Sequence, residues 1–215
     1  MECIILCGGQ GKRLGTDLPK ALVQIDDDTL IDKRIKYLIS QGVTHFVLAI
    51  GYKKELIINY ITKKYKDIMI DFAEEEHPLG TGGAIKNAMQ YINNDWCFVT
   101  NCDDITNINL KKFSNDVYNC DAIVLTQFYS PYGIVEVKNN VVSNFIEKPL
   151  LKDLWCSCGF YLLSKTLLYN FPEKFSIEVD VFPKIHLLAF KHLGYWITIN
   201  TPKDLEDAKK KIQTI

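Results

Sequence analysis

Residues 3–21 read CIILCGGQGKRLGTDLPKA, and this stretch decides the fold class. A short apolar run at residues 4–6 stops at a loop with the pattern Gly8-Gly9-x-Gly11, and Arg13 and Lys20 follow it. Glycines let backbone N–H groups approach phosphate oxygens closely, and two cations neutralise charge that amides alone cannot. A glycine loop can also be only a tight turn, and this spacing fits neither GxxxxGK(S/T) nor GxGxxG. The nearby cations favour a buried strand followed by a phosphate-binding loop.

The bulk composition is that of an ordinary globular domain. The 215 residues are 47% hydrophobic and 24% charged, which predicts a substantial core and argues against disorder. With 25 basic and 26 acidic residues the net charge is −1, so bulk electrostatics predict neither a nucleic-acid nor a membrane-surface partner. No apolar run reaches the roughly 18–20 residues of a membrane span, and the N-terminus has no export pattern. A cytoplasmic protein with reduced, structural cysteines is expected.

Strand-like and helical patterns alternate through the first half of the chain. After the first strand, the patterns predict helices at 30–41, 54–65, 83–91 and 110–118, and strands at 45–50, 69–73, 96–100 and 122–126. Such alternation predicts right-handed crossovers and a mainly parallel sheet that is covered on both faces.

The second half of the chain has a different pattern. Asn139-Asn140 separates two strand-like runs at 133–138 and 141–146 and predicts a hairpin. Further strands are expected at 160–163 and 195–199, and Pro202 should open a helix capped by Thr201. His186 and His192 are expected in or beside an apolar helix. The predicted fold class is therefore α/β: a three-layer α/β/α sandwich with a mainly parallel mixed sheet and a small β-hairpin addition.

Polar clusters follow the predicted strands, where ligands bind in parallel-sheet folds. The third strand runs into EEEHP (74–78) and LGTGGA (79–84), and the fourth runs into Asn101-Cys102-Asp103-Asp104. LGTGGA is either a flexible helix entry or a backbone that lies flat against a planar base, and we favour the second interpretation. Asp103 and Asp104 are either two solvated acids in an exposed loop or hard oxygen ligands that suit magnesium on phosphates, and we favour Asp103 as such a ligand. Glu147-Lys148-Pro149 closes a later strand, so its charges are also expected to project at a sheet edge. The alternative interpretation is an exposed ion pair of little energetic consequence.

Taken together, these stretches resemble the sugar-1-phosphate nucleotidyltransferases, enzymes with a Rossmann-like core. The likeness is greatest to the bacterial heptose and mannose 1-phosphate guanylyltransferases. It covers essentially the whole chain, and the matching segments occur in the family's order. They are GGQGKRL (8–14) with PK (19–20), LGTGGA (79–84), Asn101-x-Asp103, YGIV (132–135), FIEKP (145–149), CGFY (158–161) and a looser closing stretch from Trp196 to Leu205.

The resemblance implies a reaction between two small molecules. An oxygen of a sugar 1-phosphate attacks the α-phosphorus of a nucleoside triphosphate in line, and pyrophosphate leaves; positioning and charge stabilisation carry such a transfer. It implies Mg²⁺ as cofactor and a single domain, residues 1–215, in which residues 1–127 bind the nucleotide and residues 128–215 the sugar phosphate. The protein would be a monomer or a homo-oligomer.

The resemblance also implies roles for individual residues. Arg13 would hold the β- and γ-phosphates, Lys20 the α-phosphate and Asp103 the Mg²⁺, while Lys148 would anchor the phosphate of the sugar. The nucleotide would be framed by Leu6, Gly8, Gly9, Gly11, Glu75, Gly80, Thr81, Gly82 and Gly83, and the sugar phosphate by Asn101, Gly133, Glu147, Lys148, Gly159 and Glu178.

Two departures from the family pattern concern the metal. The family closes with Trp-x-Asp-x-Gly-Thr-Pro, whose acid is a second metal ligand, whereas this chain has Thr198 in place of the acid and Asn200 in place of the glycine. A neutral oxygen of Thr198 or Asn200, or the carboxylate of Asp180, is the candidate replacement. Asn107 and Asn109 stand where many relatives carry aspartates.

The base is less well defined than the reaction. Glu75 lies three residues before Pro78, roughly where relatives place a base-reading side chain. A carboxylate accepts two hydrogen bonds from the imino and amino groups of guanine, whereas the carbonyls of thymine or uracil would repel it. GTP is therefore favoured, although Glu75 is alternatively one of three solvated acids. Uridylyl, cytidylyl and thymidylyl transfer stay open, as does a catalytically weakened, nucleotide-binding regulatory subunit.

Overall fold

A computed structural model describes residues 1–118 and 120–212. Its elements are, in chain order, β1 (Glu2–Leu6), β2 (Gln24–Ile25), β3 (Asp28–Thr29), α1 (Leu30–Ser40), β4 (His45–Ile50), α2 (Lys54–Lys64), β5 (Met69–Glu74), α3 (Gly80–Met89), β6 (Trp96–Asn101), β7 (Asp104–Thr106), α4 (Leu110–Asp116), β8 (Ala122–Tyr129), β9 (Ile134–Lys138), β10 (Val141–Ile146), β11 (Leu150–Ser164), β12 (Leu188–His192), β13 (Trp196–Thr198) and α5 (Pro202–Ile212). Short helical turns cover Lys12–Leu14, Lys20–Leu22, Ile177–Val181 and Phe182–Lys184.

Seven strands form the central sheet in the order β12-β8-β11-β6-β1-β4-β5. The pairs β6-β1, β1-β4, β4-β5 and β12-β8 are parallel. Strand β11 runs antiparallel to both of its neighbours, β6 and β8. The predicted fold class, a mainly parallel mixed sheet with a hairpin addition, is confirmed.

The apolar run of β1 is continuous because both faces of the sheet are covered. Successive side chains of a strand point to opposite faces, so Ile5 packs into one core cluster and Ile4 into the other. The first cluster also contains apolar residues of α1, α2 and α4. The second contains residues of α3 together with Ile177 and Val181. The result is the three-layer arrangement expected from the alternating pattern.

Three sequence predictions about elements were wrong or incomplete. Helix α3 begins at Gly80 and not at Gly83, so the glycines of LGTGGA lie within its first turn. Strand β11 extends over Leu150–Ser164, well beyond the predicted 160–163. The segment ending at His192 is strand β12 and not a helix, because it pairs with the sheet edge and buries alternate residues, Phe190 and His192.

The predicted hairpin is confirmed as β9 and β10, which we call the arm (residues 134–146). Asn139 and Asn140 have φ angles of 49° and 63°. Two consecutive left-handed residues form the turn that matches the twist of a two-residue hairpin, and asparagine tolerates that conformation well. The strands of the arm pair with each other, and all their side chains are exposed.

Within the part of the chain that is described, no helix is both long and apolar enough to cross a membrane. The cysteines at positions 3, 7, 97, 102, 120, 156 and 158 are free thiols, and most are buried. This agrees with the structural role expected for them.

A cluster of three ionisable side chains, two of them buried, joins β1, β4 and β5 near their amino ends. His45 lies between two carboxylates, with Nδ1 2.7 Å from Glu2 Oε1 and Nε2 2.8 Å from Asp71 Oδ2. Glu2 also accepts hydrogen bonds from the backbone N–H groups of Asn93 and Asn94. Burial raises the pKa of Glu2, but these hydrogen bonds outweigh it and lower the pKa from 4.5 to about 2.

The protein should become less stable in acid as the carboxylate of Glu2 is protonated. Its folded-state pKa is the lower one, so its contribution is complete above about pH 4.5 and is lost as the pH falls towards 2. The shift corresponds to about 3 kcal/mol of unfolding free energy. We expect Glu2→Gln to lower stability at pH 7 and to flatten the decline below pH 5, as measured by urea unfolding from pH 3 to 7. Glu55→Gln, an exposed helix position, is the control, and parallel curves for Glu2→Gln and wild type would contradict the prediction.

Candidate active site

The polar loops meet at one edge of the sheet because their strands end in register. Leu6 at the end of β1 pairs with Ala49 on one side and with Asn101 on the other. Ile50 in turn pairs with Glu74 at the end of β5. The loops that follow β1, β4, β5 and β6 are therefore neighbours, as the parallel-sheet reasoning predicts.

A cavity of about 220 Å³ opens at this edge between the glycine loop and the start of α3. It is lined by most of the residues that were predicted to frame a nucleotide. Ala49 and Ala84 also line it and were missed in the sequence. The available signal was a small residue at a strand end and another in a helix turn. The lining residues are Leu6, Gly8, Gly9, Ala49, Glu75, Gly80, Thr81 and Ala84.

Glu75 presents its carboxylate to this cavity. Its backbone N–H donates to Ile50 O at 2.8 Å, and its Oε2 accepts from the Leu79 N–H at 3.1 Å. A Cβ on Gly8 would come within 3.2 Å of Oε1, so glycine at that position leaves room for the carboxylate. Burial raises the pKa of Glu75, and the Leu79 N–H offsets only part of that rise.

Gly82 and Gly83 do not line the cavity, although the sequence placed them against the base. A Cβ on Gly82 would meet the ring of Phe175, and one on Gly83 would meet the backbone carbonyl of Glu173. The N–H groups of both glycines point at Phe175 O, at 3.1 and 3.3 Å. These two glycines thus allow the segment around Phe175 to pack closely against α3.

The predicted phosphate-binding cations lie together in a second cluster. Lys20 Nζ forms an ion pair with Asp103 Oδ2 and also donates to Asn200 Oδ1 at 3.0 Å. Arg13 Nη2 donates to the same Asn200 oxygen at 3.2 Å. Asn200 Nδ2 donates to Thr198 Oγ1 at 3.0 Å. The structure therefore brings together both cations, the candidate metal-binding carboxylate and the two residues that depart from the family pattern.

The glycine loop joins this cluster to the cavity. The Lys20 N–H donates to Gly9 O at 3.2 Å, and Gly9 lines the cavity. Gly11 has a φ of +64°, a left-handed conformation that glycine adopts without strain. A Cβ on Gly11 would lie 3.3 Å from Lys20 Cβ. The loop thus sets the position of the Lys20 side chain relative to the cavity.

The adjacent aspartates have different environments. Asp103 is partly exposed, with 18% of its side chain accessible, whereas Asp104 is 4% exposed. Asp104 accepts from Trp196 Nε1 at 3.1 Å and from Asn101 Nδ2 at 3.2 Å. Burial, and then the charge of Asp103, raise the pKa of Asp104 to about 6. Asp104 is a structural group beneath the site, and Asp103 is the one available to a ligand.

One residue that supports this strand end, Arg34, was missed in the sequence, and another, Gly159, was predicted. Arg34 of α1 is 2% exposed and donates to the backbone carbonyl of Asp104. Its guanidinium lies 6.0 Å from the ring centroid of Phe160. Gly159, predicted for the sugar phosphate, has a φ of +66° and lies directly against the Asn101 amide. The available signal for Arg34 was a charged residue at a position of α1 where the helical pattern predicts burial.

The contacts of the remaining predicted residues are with side chains and backbone outside the cation cluster. Glu178 Oε2 accepts from Thr81 Oγ1 at 2.5 Å, so it reaches the rim of the cavity. Asp180 accepts from its neighbour Ser176 N–H at 2.8 Å and holds its own helical turn. At the base of the arm, a Cβ on Gly133 would come within 3.0 Å of Glu147 Oε2, and Lys148 Nζ lies 3.7 Å from Glu147 Oε1. These three residues are exposed or half-exposed, and the contact between Glu147 and Lys148 is the exposed ion pair that was the alternative interpretation of this stretch of sequence.

Asn107 and Asn109 have structural contacts where aspartates were expected from the family. Asn107 Oδ1 accepts from the Tyr195 N–H at 3.0 Å, and Asn109 Oδ1 accepts from the Lys112 N–H at 2.9 Å and caps α4.

The oxygen atoms available in the cation cluster decide whether it could hold Mg²⁺. Residues 1–118 and 120–212 contain no group of three or more His, Cys, Asp or Glu side chains placed to hold a metal ion. Asp103 supplies one carboxylate and Thr198 a neutral oxygen nearby, whereas the Asn200 oxygen already accepts from Arg13 and Lys20. Mg²⁺ is commonly bound by one or two carboxylates together with substrate phosphates and water. The residues fit an ion that is shared with a bound triphosphate.

Comparisons with known proteins agree with this geometry. A family profile described as "Nucleotidyl transferase" matches residues 2–214. D-glycero-alpha-D-manno-heptose 1-phosphate guanylyltransferase of Campylobacter jejuni is 35% identical over 214 residues, which cover 95% of this chain and 96% of that protein. The protein of the same name from Aneurinibacillus thermoaerophilus is 33% identical, with 99% of each chain covered. The crystal structure of HddC from Yersinia pseudotuberculosis complexed with GMP-PN has a TM-score of 0.80 and 32% identity, covering 98% of this chain and 99% of that one.

Proposed function

Because the chain belongs to the nucleotidyl transferase family, we propose that it joins GTP to a heptose or mannose 1-phosphate and releases pyrophosphate. In this reaction an oxygen of the sugar phosphate forms a bond to the α-phosphorus of the nucleotide. The bond from that phosphorus to the bridging oxygen breaks, and the electron pair leaves with pyrophosphate. The enzyme class follows from the family, whereas the base and the sugar are part of the proposal.

The observation that carries the proposal is the connection between the cavity and the cation cluster. The cavity holds a carboxylate suited to a base, and the cluster holds two cations suited to phosphates. The hydrogen bond from the Lys20 N–H to Gly9 O joins them through the glycine loop. A nucleoside triphosphate has the same arrangement, with a planar base at one end and a chain of negative charge at the other.

In the proposed mechanism, fixed charges act where negative charge moves. Arg13 binds the departing β- and γ-phosphates, and Lys20 binds the α-phosphate and stabilises charge that develops on its oxygens. Lys148 and Glu147 hold the sugar phosphate and its hydroxyls, so that the attacking oxygen is aligned with the leaving group. Asp103 would hold Mg²⁺, which when bound would supply additional neutralisation of phosphate charge.

Glu75 supports the choice of guanine. Its Oε1 faces the cavity, while Oε2 already accepts from the Leu79 N–H. A carboxylate fixed in this way accepts from the imino and amino groups of guanine. The relatives named as guanylyltransferases support the same base, and the two that this chain matches over nearly their whole length are named for a heptose 1-phosphate.

We expect Glu75→Gln to lower the kcat/KM for GTP by about tenfold to a hundredfold, since a charge-assisted pair of hydrogen bonds is replaced by a neutral one. The kcat/KM for UTP or dTTP should rise relative to GTP, because a glutamine also offers a donor. Since burial raises the pKa of Glu75, wild-type GTP preference should weaken on acidification at a higher pH than an ordinary glutamate would allow.

The matched control for this prediction is Glu76→Gln. Its side chain is 85% exposed and pairs with Lys54 on the surface. Equal nucleotide preferences in the two variants would reject the role given to Glu75.

A pyrophosphate-release assay tests the proposed function. Four nucleoside triphosphates are crossed with heptose, mannose, glucose and N-acetylglucosamine 1-phosphates, with Mg²⁺ or with EDTA. The highest rate is expected for GTP with a heptose or mannose 1-phosphate, with product identity checked by mass spectrometry. Faster turnover with another nucleoside triphosphate would reject GTP as the substrate. Nucleotide binding without pyrophosphate release would indicate a regulatory subunit that has lost catalysis.

A further inference from the structure

The side chain of Asn200 lies between the two cations proposed to bind phosphate. Its Oδ1 accepts from Arg13 Nη2 at 3.2 Å and from Lys20 Nζ at 3.0 Å. Its Nδ2 donates to Thr198 Oγ1 at 3.0 Å. Arginine and lysine side chains are donors only, so the carbonyl oxygen and not the amide nitrogen must face them. Every polar atom of this amide therefore has a defined partner or pair of partners.

The backbone of Asn200 is held from both sides. On one side the Ile199 N–H donates to Asp103 O at 3.1 Å, which fixes the chain next to the candidate metal-binding residue. On the other side the Asn200 N–H donates at 3.0 Å to the carboxylate of Asp204, in the first turn of α5. Thr201 caps the same turn, as the sequence predicted, by accepting from the Asp204 N–H at 3.2 Å. The amide thus stands at a fixed point relative to the site.

The charge balance around this point explains why a neutral group suits it. Lys20 is paired with Asp103, whereas Arg13 has no carboxylate within ion-pair distance among residues 1–118 and 120–212. A neutral oxygen that accepts from both cations reduces their mutual repulsion and leaves their charges available. A carboxylate at the same point would neutralise one of them and repel the phosphates of a ligand.

We propose that Asn200 is a positioning residue that holds Arg13 and Lys20 together through one neutral oxygen and keeps both charges available to a polyphosphate. This inference deepens the proposed function, because it rests on the two cations binding phosphate. It also assigns Asn200 to the cations and not to the metal. An oxygen that accepts from two cationic donors is poorly placed to serve a third cation.

The test compares Asn200→Ala with Asn200→Asp. Isothermal titration with inorganic pyrophosphate in EDTA measures how tightly the two cations bind a polyphosphate in the absence of metal and turnover. Thermal unfolding measures the stability of each variant. Asn200→Ala should weaken pyrophosphate binding by about threefold to tenfold, because the cations lose their shared acceptor. Asn200→Asp should weaken it by about a further tenfold or more, with a steep salt dependence, because the new charge competes with the ligand.

The sign of the stability change separates positioning from a merely structural role. Asn200→Asp forms ion pairs with both cations in the free protein, so its Tm should equal or exceed that of wild type while its pyrophosphate affinity falls. Asn115→Asp adds the same charge on an exposed face of α4 and should leave both quantities at their wild-type values.

Two results would overturn the inference: equal pyrophosphate affinities for Asn200→Ala and Asn200→Asp, or a fall in Tm that parallels the fall in affinity. Failure of the proposed function would be recognised separately. In that case the wild-type protein would release no pyrophosphate from any substrate pair, while the affinity difference between the two variants would persist.

Discussion

Replacement of Asp103 by asparagine is expected to reduce the turnover of pyrophosphate release by about a hundredfold or more, because it removes the carboxylate that, in the proposed mechanism, would hold Mg²⁺. The fold should be retained. The backbone carbonyl of Asp103 accepts from the Ile199 N–H whatever the side chain is, and asparagine has nearly the same shape.

The same variant should change metal-free binding in the opposite direction. Asp103 pairs with Lys20, so removal of its charge frees the lysine and removes a negative charge near the triphosphate. We expect GTP or pyrophosphate to bind Asp103→Asn in EDTA at least as tightly as wild type, while Mg²⁺-dependent turnover falls. Asp116→Asn, on the surface of α4, is the control. Wild-type turnover in Asp103→Asn, with normal Mg²⁺ dependence, would remove Asp103 from the mechanism.

Replacement of Lys20 by methionine is expected to have the second large effect, a loss of turnover of about a hundredfold, because it removes the fixed charge that we propose binds the α-phosphate. Lys20 is mostly buried, with 13% of its side chain exposed, and methionine can follow the same aliphatic path. In contrast to Asp103→Asn, pyrophosphate affinity in EDTA should fall with turnover, by about tenfold.

A double-mutant cycle makes this prediction sharper. Because Lys20 and Asp103 are in contact, the effects of Lys20→Met and Asp103→Asn on metal-free pyrophosphate binding should not add. The variant Lys111→Met, an exposed position on α4, controls for loss of a positive charge. Additive effects in the cycle, or unchanged pyrophosphate affinity in Lys20→Met, would show that the ion pair has no part in phosphate binding.

The central part of the fold was predictable because its signals are local. Strands β1 and β4 are buried on both faces, so each is a continuous apolar run that ends at a glycine or polar loop. Their parallel pairing then places the following loops at one edge without further information. This is why Gly8, Glu75 and Asp103 could be assigned to a common region from the sequence.

The elements that were missed depend on partners that are distant in the chain. The burial of His192 follows from the pairing of β12 with β8, and the apolar composition of that segment fits a helix equally well. The first part of β11 is exposed or half-exposed, and its extended form follows from pairing with β8. Pairing of this kind cannot be read from a period of two or of 3.6 within the segment itself.

The supporting contacts of the site were also beyond local reasoning. Gly82 and Gly83 are required by the packing of the segment that contains Glu173 and Phe175, which the sequence gives no reason to place against α3. Arg34 and Trp196 contact Asp104 from 70 and 92 positions away. Chemistry at strand ends is visible in a single sequence, whereas the residues that hold those side chains are visible only in the folded chain.

The position of β11 has a consequence for synthesis of the protein. This strand lies between β6 and β8 in space, but it follows both of them in the chain. A nascent polypeptide that has not yet reached residue 150 can join β6, β1, β4 and β5 into half a sheet, while β8 has neither neighbour and β6 presents a bare edge. Fragments that stop near residue 127 should therefore aggregate, and complete folding should await release of residues beyond 164 from the ribosome.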